Sequence, residues 1–138
     1  MIDNAKAANI IARTFMATGF TYFLISTILL ALNITTIISV RNDPIFIMDL
    51  YGFVTFLIFG LSYIFLPGLS RSRFANYKTM ILEYLLMNFG VIALVVPLLT
   101  GIFRHIIIIG AISLVLGVVM HFINIWSMLI LKTKPKIG

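Results

Sequence analysis

The sequence predicts an all-α fold: a four-transmembrane-helix bundle of up-down-up-down connectivity with both termini cytoplasmic. Three observations carry that expectation. Of 138 residues, 62% are hydrophobic and only 10% charged, with mean hydropathy +1.16, whereas a soluble domain has about 25% charged residues. Four segments reach the roughly 20 apolar residues that cross a bilayer. Finally, Lys and Arg divide unevenly between the two ends those segments define.

The segments are read in order, as one integral-membrane domain over 1–138. The first covers about 14–40, free of charge, after a lead-in, "MIDNAKAANIIARTF", read as a retained amphipathic start rather than a cleaved signal. Asp43-Pro44 then favours a turn and a new helix start. The second covers about 45–66 and is expected to stop at the Pro67-Gly68 breaker pair. The basic loop "GLSRSRFANYK" leads to the third, about 74–99, closed by Pro97 and Thr100-Gly101. The fourth covers about 105–131 and precedes the basic tail "KTKPKIG".

Lys6, Arg13, Arg71, Arg73, Lys78, Lys132, Lys134 and Lys136 fall on one side; Arg41 and Arg104 fall on the other. The positive-inside rule assigns the richer side to the cytoplasm. The net charge of +6 then follows from topology, with no nucleic-acid partner; these charges imply at most contact with anionic headgroups. Without cysteine, disulfides, thiolate metal sites and cysteine nucleophiles are excluded. The loops are short, so no water-soluble domain is expected.

Polar residues inside apolar spans are the functional candidates. Asp49 lies about 6 Å into the second span at 1.5 Å per residue, near headgroups, where Arg41 or Arg104 could pair with it. It is either an edge anchor or a functional carboxylate. Glu83 is deeper in the third span and must be paired or protonated there; Lys78, five residues back, sits off its face. In the fourth span Gly110, Gly117, His121 and Asn124 are spaced 7, 4 and 3, and Ser113 lies at the margin of their stripe. Such a stripe is a helix-packing seam, a haem or metal ligand at His121, or a proton relay with Glu83. Asn88 is a further intramembrane polar residue. A metal site needs two or three converging ligands, and His105, His121, Asp49 and Glu83 form two separate pairs at most. No cofactor is expected. Trp126, Tyr77 and Tyr84 are read as interfacial anchors. No Walker loop, nucleophile elbow or His-Glu-x-x-His run occurs.

The stretch "IMDLYGFVTFLIFGLSYIFLP" resembles the second helix of small four-helix membrane proteins related to the haem-copper oxidase subunit I family. The likeness lies in Leu50, Gly52, Phe53, Val54, Phe59, Gly60, Tyr63 and Pro67. "EYLLMNFGVIAL" is similar to that family's third helix at Asn88 and Gly90. Arg13, Phe15, Tyr22 and Phe23 resemble its first helix, and "LGVVMHFINIW" resembles its fourth. The family's second-helix histidine aligns with Ile47, its neighbouring Asn with Asp49, and a third-helix histidine with Met87. The resemblance therefore implies a scaffold without that redox centre.

These readings converge on a non-catalytic accessory subunit of a multisubunit membrane oxidoreductase in the plasma membrane. The host is of respiratory oxidase type, or a copper membrane monooxygenase such as an archaeal ammonia monooxygenase. Partners would be other transmembrane subunits and lipids, with Gly52, Gly60, Gly110 and Gly117 admitting partner helices. The Ile-rich, Cys-free chain suits a low-GC or archaeal source. The alternative is a small membrane protein binding haem, copper or quinone through His121 and Glu83. A transporter or channel would need a polar lumen and an inverted repeat, and neither is visible.

Overall fold

The computed structural model describes residues 3–71 and 73–130. Leu131 and the basic tail with Lys132, Lys134 and Lys136 lie outside the described residues. Four helices account for the described chain: α1 (Asn4–Ile34), α2 (Asn42–Ser70), α3 (Tyr77–Thr100) and α4 (Ile106–Ile130). All four are long and apolar enough to cross a membrane, and no strand occurs among the described residues. This is a multi-pass, all-helical bundle. α1 packs antiparallel on α2, and α3 packs antiparallel on α4, each pair over an extensive face. The two hairpins meet along α1–α3, α2–α3 and α2–α4, while the backbones of α1 and α4 do not approach closely among the described residues.

Several boundaries depart from the sequence expectation. α1 begins ten residues before Thr14, because Asp3 caps it by accepting from the Ala5 N–H at 3.2 Å. It also ends at Ile34, six residues before Val40. There Asn33 Oδ1 accepts the Val40 N–H at 3.1 Å, and the Thr35 N–H returns to the Ala31 carbonyl at 3.1 Å. The uncharged residues 35–40, three of them Thr or Ser, are thus a connection, and absence of charge does not separate a helix from a loop.

α2 is continuous from Asn42, with Asp43 and Pro44 in its first turn, where a missing N–H costs nothing. Met48–Val54 is wound as a π-helix, and the Thr55 hydroxyl takes the Leu50 carbonyl at 2.9 Å. Pro67-Gly68 does not stop α2. Proline removes one hydrogen bond near the end of the helix, and α2 runs on to Ser70 before Arg71 turns left-handed at φ 50°. In α3, Pro97 is likewise tolerated. The helix closes as expected at Gly101, whose φ of 74° suits glycine and whose N–H reaches the Pro97 carbonyl at 2.8 Å.

An aromatic cluster joins three helices. Phe15 of α1, with no exposure, has ring centroids 5.5 Å from Phe56 and 6.1 Å from Tyr63 of α2, and 5.2 Å from Tyr84 of α3. Tyr84 is therefore part of the core rather than the interfacial anchor expected. Its hydroxyl meets that of Thr18 at 2.7 Å. Trp126 does point outward, 67% exposed.

Candidate functional site

The polar side chains of α2, α3 and α4 converge on Glu83. Its position on α3, six residues beyond Tyr77, is about 9 Å along the helix from its start, and it has no exposure at all. His121 and Asn124 of α4 lie three residues apart and so share one face. Both turn toward α3, where His121 Nδ1 meets Glu83 Oε1 at 2.9 Å and Asn124 Nδ2 donates to Glu83 Oε2 at 2.8 Å. From α2, the Tyr63 hydroxyl also donates to Glu83 Oε2, and it accepts from Asn124 Nδ2 at 2.9 Å. No buried side-chain nitrogen or oxygen among the described residues is left without a partner.

The second imidazole nitrogen is held as well. His121 Nε2 lies 3.2 Å from Ser62 Oγ, and that hydroxyl gives its one proton to the Phe59 carbonyl at 2.8 Å. Both imidazole nitrogens thus have a polar partner, and three side chains from two other helices contact the Glu83 carboxyl group. Phe59 covers the ring, with centroids 3.6 Å apart and planes 2° from parallel, while Tyr63 meets it edge-on at 5.0 Å. A metal or haem iron approaching His121 through a ring nitrogen would have to displace Ser62 or Glu83. The described residues contain no group of three His, Asp or Glu side chains placed to share an ion.

Two further polar layers follow along the bundle. Asn88 accepts the Tyr22 hydroxyl at 3.0 Å and donates to the Tyr84 carbonyl at 3.0 Å, linking α1 to α3. Asp49, half-buried on the π-helical turn, accepts the hydroxyl of Ser26, which is 1% exposed on α1. Neither arginine expected to pair with it does so. Arg41 bonds Asp43 at 2.6 Å, two residues away at the helix start, while Asp49 faces α1. His105 is exposed in the α3–α4 connection, remote from His121.

The glycines expected to admit partner helices serve contacts within the chain. A methyl group at Gly52 would lie 2.7 Å from the Tyr22 ring, and at Gly60 it would lie 2.7 Å from the Ala12 carbonyl oxygen of α1. At Gly110 it would come within 2.9 Å of Ala93 Cβ, and at Gly117 within 2.5 Å of Met87 Sδ, both on α3. Ser113 extends that seam, donating to the Leu86 carbonyl at 2.7 Å. The α4 stripe therefore faces α3, and its small residues bring the helices close enough for His121 and Asn124 to reach Glu83.

Sequence reasoning found Glu83, His121 and Asn124 but missed the α2 side of the site: Phe59, Ser62 and Tyr63. Two of these, Phe59 and Tyr63, are among the residues carrying the oxidase-like resemblance. No protein-family model, curated protein or solved structure matches the chain.

Proposed function

We propose that this protein is a non-catalytic, integral-membrane subunit of a larger membrane oxidoreductase complex. The single observation that supports it most is the mutual saturation of the buried polar groups. Glu83, His121, Tyr63, Asn124 and Ser62 bind one another, with Phe59 closing the face of the imidazole. A site of that kind fastens helices together and offers no open coordination position. Outside it, α4 presents Ile108, Ile112, Val115, Val119, Phe122 and Trp126 to the surroundings, a surface suited to lipid and to apolar helices of other subunits.

The likeness of α2 to the haem-copper oxidase subunit I family supports an oxidase-type host, and a copper membrane monooxygenase of the archaeal ammonia monooxygenase kind is the second candidate. The plasma membrane is its location in this reading. The termini are cytoplasmic because Lys6, Arg13, Arg71, Arg73 and Lys78 lie toward one end and Arg41 and Arg104 toward the other.

Crosslinking in native membranes followed by mass spectrometry tests this assignment. Stoichiometric links to larger oxidoreductase subunits, with a colourless purified chain, are the expected result. A Soret or copper absorption band that disappears in His121→Ala would replace it with a redox-carrier function.

A further inference from the structure

At the end of the bundle that holds the start of α1 and residues 73–76, the helices do not close on one another. They leave an open groove of about 1020 Å³ between the beginnings of α1 and α3 and the last turn of α4. Its shape is built in. Asn4 of α1 donates to the Ala75 carbonyl at 3.1 Å and accepts the Tyr77 N–H at 3.2 Å, and Ala75 is only 3% exposed. Asn76 caps α3 by accepting the Lys78 N–H at 3.0 Å. Arg73 and Lys78 are thus held on either side of a fixed helix start and line the groove.

Neither cation makes an ion pair among the described residues, where the only two such pairs are Arg41–Asp43 and His121–Glu83. Asp3 is the one acidic side chain in the lining, and its Oδ1 already accepts the Ala5 N–H. One carboxylate against two cations leaves the groove positive. Phe74, 39% exposed, is the accessible apolar side chain of its lining, and Met128 behind it is buried. Only three and four residues beyond Lys78, Ile81 and Leu82 are exposed on α3, so the groove sits where polar surface gives way to hydrocarbon-facing surface.

We infer that this groove binds the phosphate-bearing headgroup of an anionic glycerophospholipid. Arg73 and Lys78 hold the phosphate oxygens, while Phe74 receives the glycerol and the first acyl carbons. Basic pockets at the ends of membrane helices recognise such headgroups through charge and hydrogen bonding together.

The protein carries its own reporter. Its single tryptophan, Trp126, adjoins the groove-lining Ser127. The full-length chain is placed in phosphatidylcholine vesicles into which brominated phosphatidylglycerol or brominated phosphatidylcholine is titrated. Phosphatidylglycerol is expected to quench Trp126 at a several-fold lower mole fraction. Arg73→Gln with Lys78→Gln should abolish that preference, whereas Arg104→Gln at the opposite end should leave it unchanged. Far-UV circular dichroism confirms that the double variant is folded, and Lys78→Gln alone repeats the test with one cation removed. Equal quenching by the two lipids in the unaltered protein, or full selectivity in the double variant, would overturn the inference. Inorganic phosphate should not alter Trp126 emission in phosphatidylcholine vesicles. A saturable change that the double variant lacks would assign the groove to a free anion instead.

Discussion

Glu83 shows what a single charge does inside an apolar bundle. A buried carboxylate is tolerable because three donors from two other helices reach it, and removing any one partner leaves the others stranded. Breaking a buried pair costs about 3–5 kcal/mol when a partner is left uncompensated, although individual intramembrane hydrogen bonds average only about 0.6 kcal/mol. Glu83→Ala should therefore destabilise the protein by about 3 kcal/mol, with a smaller loss for Glu83→Gln, which keeps two acceptor lone pairs. Reversible unfolding in mixed micelles measures both. Combined with His121→Ala, the loss should fall short of the sum of the single variants; strict additivity would mean that the two residues are not coupled. Asp49 supplies a contrast. Arg41→Ala removes an exposed pair with Asp43 and should change stability by less than about 0.5 kcal/mol, while Ser26→Ala, which strips the half-buried carboxylate of its donor, should cost about 1 kcal/mol. The same assay ranks the two, and an Arg41 effect exceeding that of Ser26 would reassign the partner of Asp49. At this scale the sequence identified Glu83, His121 and Asn124 by their cost in an apolar setting. It could not pair Glu83 with Tyr63, because the rotational phase of α2 relative to α3 is a tertiary property.

Helices come close where glycine permits it, and the glycines of this chain differ in what stands opposite them. At Gly60 an added methyl group meets the backbone oxygen of Ala12, which cannot move without shifting α1. At Gly117 it meets the end of the Met87 side chain, which has rotamers to spare. Nothing lies within 4 Å of the corresponding position at Gly68. Substitution by alanine should follow that order. Gly60→Ala should lose about 2 kcal/mol through overpacking, Gly117→Ala less than half as much, and Gly68→Ala nothing, with a gain of about 0.5 kcal/mol from helix propensity. Thermal unfolding in detergent checks the ranking, and equal losses at Gly60 and Gly68 would contradict the α1–α2 contact. Element type was legible from length and apolar content, and three of the four helices begin within three residues of expectation. The misplaced ends share a cause. Residues 35–40 are uncharged without being helical, and Pro67 is helical despite being proline, because neither the absence of charge nor a single missing hydrogen bond near a helix end decides where the helix stops. The π-helical turn at Met48–Val54 has no signature in the apolar pattern at all.

For the molecule as a whole, the connectivity follows from short links between long apolar helices, but which hairpin meets which does not. The gap between α1 and α4 arises because the hairpins join chiefly through α2 and α3, and the groove beneath α3 lies at the charge-rich end. The orientation proposed for that end makes a separate prediction that the chain is well suited to test, since it has no cysteine and any introduced thiol is unique. Lys6 and Arg104 are both exposed and lie at opposite ends of the bundle. With the basic end cytoplasmic, Arg104→Cys in intact cells should react with a membrane-impermeant maleimide, whereas Lys6→Cys should react only after permeabilisation. The bias behind this expectation, eight basic residues against two, is larger than either loop at the Arg41 and Arg104 end can reverse by itself. Adding two lysines beside Arg104 should therefore leave the labelling pattern unchanged. The reverse pattern in the parent variants would place the groove on the outer face and turn the proposed headgroup site toward the other leaflet.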